Sequence, residues 1–320
     1  MLLTPEIISI LTLDFIFLAF GAIAFFISLK IYLKWDLNST SQMQYQLENQ
    51  SHLVATIIKY IFALKLPLFL FFVFTADKLS NVIPGAMCAA GVVDSVDFST
   101  AMFFFKILNL YVFGFWLILH TYDIKDENLP YTKYKFLLFC VGFILIMIEI
   151  FYEVSFFTSL DTSKIVSCCG TIFSSASASS LSFIFQINKI YFVYTFYAVL
   201  ALIVAFYITK RYIAYLLLNI AYLIISIVSL IMFFGTYIYQ LPTHHCPFCL
   251  LQKDYDYIGY LLYATLYIGT FYGISGAIMS IIKEQKQTKY YNISLTSNII
   301  YALIVSAYVI IYFLRNGVWL

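Results

Sequence analysis

The sequence predicts an all-α polytopic membrane protein: a bundle of about eight transmembrane helices with both termini outside. Three observations predict it. The 320 residues are 63% hydrophobic and only 11% charged, against about 25% charged residues in a soluble domain. Apolar runs near or above the ~20 residues that cross a bilayer recur along the whole length. These runs are continuous, unlike the short alternating segments of a membrane β-barrel. The formal net charge of +2 implies no nucleic-acid partner. The partner that composition implies is the lipid bilayer.

The expected spans are about 7–33, 52–75, 99–121, 133–157, 188–209, 211–239, 256–282 and 296–314, forming a single transmembrane domain over 1–320. The first span follows MLLTPE, which lacks the Lys/Arg-rich stretch of a cleavable signal peptide, so it is expected to stay in the mature chain. It carries Asp14. The polar stretch 35–51 (WDLNSTSQMQYQLENQS) is expected to be a loop before the second span. Stretch 84–91 (PGAMCAAG) precedes the third span, and its small residues permit close backbone approach. There Cys88 is either a buried thiol at a tight helix start or a sulfur that another loop can reach. The fourth span carries Glu149 and Glu153, one turn apart. Glu149 is expected to hydrogen-bond a neighbouring helix, face a cavity or accept a proton from thiol oxidation. Glu153 is expected to reach the outer interface. Loop 158–187 holds Cys168, Cys169 and the small-residue run FSSASASSLS, and Lys210–Arg211 separates spans five and six. The last loop outside the predicted cytoplasm, 240–255, precedes span seven.

Lys and Arg mark the cytoplasmic side of short loops. One set of alternate loops holds Lys30, Lys34, Lys125, Lys133, Lys135, Lys210, Arg211, Lys283, Lys286 and Lys289. The other set holds Lys78, Lys164, Lys189, Lys253 and Arg315. Lys59, Lys65 and Lys106 fall within or near spans and are left out of the comparison. The larger set is assigned to the cytoplasm, and the chain to a bacterial inner (plasma) membrane. No cysteine entered that assignment, yet it sorts the cysteines. Cys88, Cys168, Cys169, Cys246 and Cys249 all fall in outer loops, where disulfides persist. Only Cys140 lies in a span. Five outer cysteines leave at least one unpaired in a fully oxidised monomer. A vicinal Cys168–Cys169 bond would be strained and easily reduced, so a bond from one of them to Cys88 is the more natural pairing.

The most reactive stretch is 244–257, HHCPFCLLQKDYDY. Pro is favoured at the first position of a helix, so Pro247 predicts that span seven begins at Cys246–Pro247. Cys246 would then be the N-cap, more exposed than Cys249, with a thiolate stabilised by the helix N-terminus and by His244 and His245. A helix from there to Ile282 would be about 54 Å long, well beyond the ~30 Å hydrocarbon core. Either its first turns lie among the headgroups, or it ends sooner, near Gly273 or Gly276.

Residues Cys246-Pro247-Phe248-Cys249-Leu250-Leu251-Gln252-Lys253 resemble the C-P-x-C-x-x-Q-R motif of DsbB-type membrane thiol oxidoreductases, with Lys253 in place of Arg. The resemblance implies electron transfer from a thioredoxin-like periplasmic protein through Cys246 and Cys249 to a membrane quinone held near Gln252 and Lys253. The other outer cysteines lie upstream, an order closer to the vitamin K epoxide reductase type. The relay partner implied is therefore Cys88, Cys168 or Cys169. The expected function is thiol–disulfide exchange on the outer face, in either direction.

Other readings stay open. Thiolate, thioether and imidazole together suit copper(I), and Met87, Cys88, Cys168, Cys169, His244, His245, Cys246 and Cys249 could converge on it in a metal-handling protein. A zinc site made of His244, His245, Cys246 and Cys249 is an alternative, as is a static disulfide staple. His52 and His120, near cytoplasmic span ends, are a conceivable haem pair, although an interfacial His is more often solvated.

Overall fold

A computed structural model describes residues 4–36, 39, 41–96, 98–126, 129–161, 165–166, 187–209 and 211–320. Cys168, Cys169 and Lys164 lie outside the described residues. Eight helices among those described are long and apolar enough to cross a membrane. This establishes an all-α, multi-pass architecture in contact with lipid.

Helix α1 (Pro5–Lys34) opens on a proline at its first position, and Trp35 ends it in an extended conformation. Helix α2 runs from Gln42 to Leu79, so residues 42–51 are helical rather than part of a loop. The Ser41 side chain caps the helix by accepting from the Gln44 amide, and Gln, Met, Leu and Glu in the first turns are good helix formers. At 38 residues the helix is about 57 Å long, so its polar first turns extend past the hydrocarbon. Lys30 Nζ donates to Gln50 Oε1 at 3.3 Å, tying those turns to the end of α1. A short helix α3 (Ala89–Asp94) leads to α4 (Ser99–Ile124) and α5 (Thr132–Ser159). Buried Asp123 fixes the α4–α5 turn, accepting from the Tyr131 amide and Thr132 Oγ1, both at 2.8 Å, and pairing with Lys135 at 2.5 Å.

The later helices are α6 (Lys189–Ile208), α7 (Tyr212–Tyr239), α8 (Ile258–Ile282) and α9 (Thr288–Asn316). Within α7 one wide π turn spans Leu230–Phe234. A Cβ at Gly235 would lie 2.7 Å from the Leu230 carbonyl oxygen, so this turn requires glycine there.

The chain forms two compact units, Met1–Pro84 with Val92–Lys164, and Gly85–Gly91 with Ile165–Leu320. In the first, α1 packs on α2 and α5, and α4 packs on α2 and α5, closing a four-helix ring. In the second, α6, α7, α8 and α9 pack in sequence and α9 returns to α6, closing another. The helix ends agree with the expected spans to a few residues, except where the polar starts of α2 and α9 are also helical.

In the first unit a cavity of about 190 Å³ is lined by His52, Lys59, His120 and Lys135 among others. Small-molecule sites begin near ~300 Å³, and the His120 ring stacks on Trp116 with centroids 4.9 Å apart. The histidines share a wall, but the space does not fit haem.

Candidate functional site

Cys88, Cys246 and Cys249 come together in the second unit. Their sulfur atoms all lie within 4.8 Å of one another, and Cys88 Sγ is 3.5 Å from Cys246 Sγ across 158 residues of sequence. All three are buried, at 0%, 1% and 5% exposure. Both alternatives weighed for Cys88 therefore hold together: it is a buried thiol beside a helix start, and the sulfur of another loop reaches it.

The local structure differs from a helix starting at Pro247. Cys246 and Pro247 lie in irregular backbone, Cys249–Leu251 form a 3₁₀ turn, and Lys253–Tyr255 form another. Asp256 and Tyr257 take left-handed conformations with φ of 51° and 55°, and α8 begins only at Ile258. Two successive left-handed residues cannot continue a right-handed helix, which is why the N1 preference of proline is overridden. The helix dipole expected to act on Cys246 starts instead at Ile258. Cys246 is also not the more exposed of the pair. The excess helix length disappears for the same reason: α8 has 25 residues, about 38 Å, and runs unbroken through Gly273 and Gly276.

Several contacts hold this loop in place. The Tyr239 hydroxyl donates to the Cys246 carbonyl, and the Tyr263 hydroxyl donates to the Pro247 carbonyl at 2.7 Å. The Gln252 amide donates to the Met87 carbonyl at 3.1 Å, joining the C-x-x-C loop to the Cys88 loop. His245 Nδ1 meets the Ile231 carbonyl at 2.8 Å. A carbonyl only accepts, so that nitrogen carries the proton. Ile231 belongs to the π turn of α7, a turn type that re-aims backbone carbonyls. A Cβ at Gly259 would come within 2.8–2.9 Å of Leu250; glycine thus lets the start of α8 abut the 3₁₀ turn that carries Cys249. Cys88, Cys246 and Cys249 belong to an apolar cluster with Leu250, Leu262 and Leu266. Burial lifts the Tyr255 phenol above its ordinary range, and the nearby Cys249 adds to that.

The residues expected to bind a cofactor are placed differently from each other. Gln252 is half-buried and engaged with Met87, while Lys253 is exposed. Among the described residues, His244 and His245 are not grouped with Cys246 and Cys249 at metal-ligand spacing. Among the described residues, the group with metal-ligand spacing is Cys88, Cys246 and Cys249. His245 is turned to α7, and His244 lies edge-on to Tyr239, with ring centroids 4.3 Å apart.

A second polar centre, in the first unit, was only half visible in the sequence. Lys65 pairs with Asp14 at 2.6 Å and with Glu149 at 3.3 Å; Lys106 pairs with Glu149 at 3.1 Å and with Glu153 at 2.6 Å. Glu153 is 1% exposed, so it does not reach outward to the interface. Glu149 does bond a neighbouring helix, through the amide of Asn109 on α4. The signal that could have found this centre was Lys65 and Lys106 themselves: a lysine in a span costs about 2.5–3.5 kcal/mol, so it calls for a carboxylate partner.

Compared with known proteins, the chain matches no family model, no curated protein and no solved structure.

Proposed function

We propose that this multi-pass membrane protein carries out thiol–disulfide exchange at Cys88, Cys246 and Cys249. The supporting observation is the third sulfur. With Cys88 Sγ 3.5 Å from Cys246 Sγ, a Cys88 thiolate can attack the Cys246–Cys249 disulfide at Cys246. The S–S bond between Cys246 and Cys249 breaks, the Cys88–Cys246 bond forms, and Cys249 leaves as the thiolate. In the full cycle a partner dithiol, such as a thioredoxin-like periplasmic protein, is oxidised as the Cys246–Cys249 disulfide is reduced. The resulting dithiol then passes two electrons and two protons to an oxidant of the quinone class, with Gln252 and Lys253 the candidate residues near it. The apolar surroundings favour the resting disulfide over a set of thiolates. A disulfide beside a thiol is uncharged, whereas buried thiolates need compensation. Partner access requires loop 244–257 to open by releasing the bonds to Tyr239, Tyr263 and Met87, a local opening of the kind that costs less than global unfolding. A bacterial inner membrane, with this loop on the periplasmic side, is the setting consistent with the lysine distribution.

A second reading has its own observation. One soft ion bound at about 2.3 Å by three thiolates would hold the sulfurs about 4 Å apart, close to the observed spacing. The full chain, purified without reductant and alkylated before disulfide mapping, separates the two. Exchange predicts a Cys246–Cys249 bond that a reducing partner opens, and a Cys88–Cys246 bond trapped by Cys249→Ser. Three thiols that stay reduced when a soluble quinone is added, with no bond in Cys249→Ser, would end the exchange reading. Stoichiometric copper or zinc that is lost in Cys88→Ser would favour the metal.

A further inference from the structure

The ion pairs of the first unit form an alternating row, Asp14–Lys65–Glu149–Lys106–Glu153, contributed by α1, α2, α4 and α5. All five residues are at most 4% exposed, and all lie in helices that qualify as membrane spans. Each lysine sits between two carboxylates. Glu149, in the middle, engages both lysines with Oε1 and accepts from Asn109 with Oε2. The end carboxylates have less: among the described residues, Asp14 pairs with Lys65 and Glu153 pairs with Lys106. Glu153 Oε1 is buried with no hydrogen-bond partner.

The charges do not cancel. Two ammonium groups face three carboxylates, leaving one uncompensated negative charge inside the membrane. An isolated buried charge costs so much that such a group gains a partner or becomes neutral. The charged groups facing Glu153 from the packed helices are Lys106, Asp14, Lys65 and Glu149, so among the described residues no third cation faces it. A metal ion would have to settle beside two ammonium groups. A proton on an end carboxylate removes the excess charge and meets no such repulsion.

We propose that this row is an intramembrane binding site for one proton, carried by Glu153. A hydronium ion supplies it: one O–H bond forms on the carboxylate, water is released, and no electron moves. Ionisable groups inside a membrane bundle recur in proton relays. The site stands independently of the cysteine chemistry.

The test is infrared spectroscopy of the full chain in lipid nanodiscs at neutral pH, reading the carbonyl stretch of protonated carboxyl groups and its shift in D₂O. The wild type should show one buried protonated carboxyl. Glu153→Gln and Asp14→Asn each leave two carboxylates against two lysines, so each should lose the band entirely. Lys65→Gln should double it. If Lys65→Gln does not fold, the wild-type band and its loss in Glu153→Gln decide the matter alone. Absence of the band in the wild type, or its survival in either carboxylate variant, would overturn the proposal. A band that appears only when sodium is replaced by choline would mean that the site takes a metal cation, and would overturn it too.

Discussion

The first unit places five charged side chains at the centre of its helix ring. The second places no charged residue among the described buried ones; its interior uses thiols, hydroxyls and amides instead. Each ring thus tolerates polarity in hydrocarbon in its own way. Neutral groups of the second unit can lean on their own helix, as Thr270 does on the Leu266 carbonyl and Ser280 on the Gly276 carbonyl, and Asn219 both donates to the Tyr215 carbonyl of its own helix and accepts from Ser294 and Asn298 of α9. Charges of the first unit can be satisfied only by other helices, so each ion pair is also a tie between helices. Loss of one partner should therefore be severe in the first unit and graded in the second.

The largest expected effect is Lys106→Met, which strands Glu153 and half of Glu149. Removing one partner of a buried pair costs about 3–5 kcal/mol, seen as a lower unfolding temperature in detergent. Adding Glu153→Leu should recover most of that loss. If the double variant is no better than the single, the row is not the organising contact of this ring. Next is Gly259→Val in the second unit. Overpacking against Leu250 should cost about 1–3 kcal/mol and raise the rate at which Cys249 is alkylated by a membrane-permeant thiol reagent; unchanged alkylation would show that the start of α8 does not hold the 3₁₀ turn. The smallest is Tyr263→Phe, which removes one hydrogen bond to the Pro247 carbonyl. A loss of about 0.5–1.5 kcal/mol is expected, again by thermal unfolding. A loss as large as that of Lys106→Met would erase the contrast between the two rings.

Much of the fold was legible. Hydropathy located all eight crossings because bilayer thickness fixes how long an apolar helix must be. The grouping of Cys88 with Cys246 and Cys249 on one side followed from lysine counts, and in the second unit the loops bearing them do meet. The start of α8 lies at Ile258, not at Pro247. The proline at 247 is a local preference, and it yields to left-handed residues 256–257 and to the seat of Leu250 on Gly259. The start of α2 is polar, and polarity by itself does not distinguish a loop from a helix that extends beyond the membrane. Tyr239 and Tyr263 were unremarkable among 28 tyrosines, and only their hydroxyl contacts single them out. No sequence spacing links Lys65 and Lys106 to the carboxylates they meet on other helices.

By itself, the sequence determined how many times the chain crosses the membrane and how long each crossing is. Transfer of an apolar window into lipid depends on that window alone. Tertiary structure decided which rare polar groups become neighbours, such as Cys88 with Cys246 and Lys65 with Asp14 and Glu149. Such meetings depend on how each helix is rotated and which helix it packs against, and those are fixed by side chains distant in sequence.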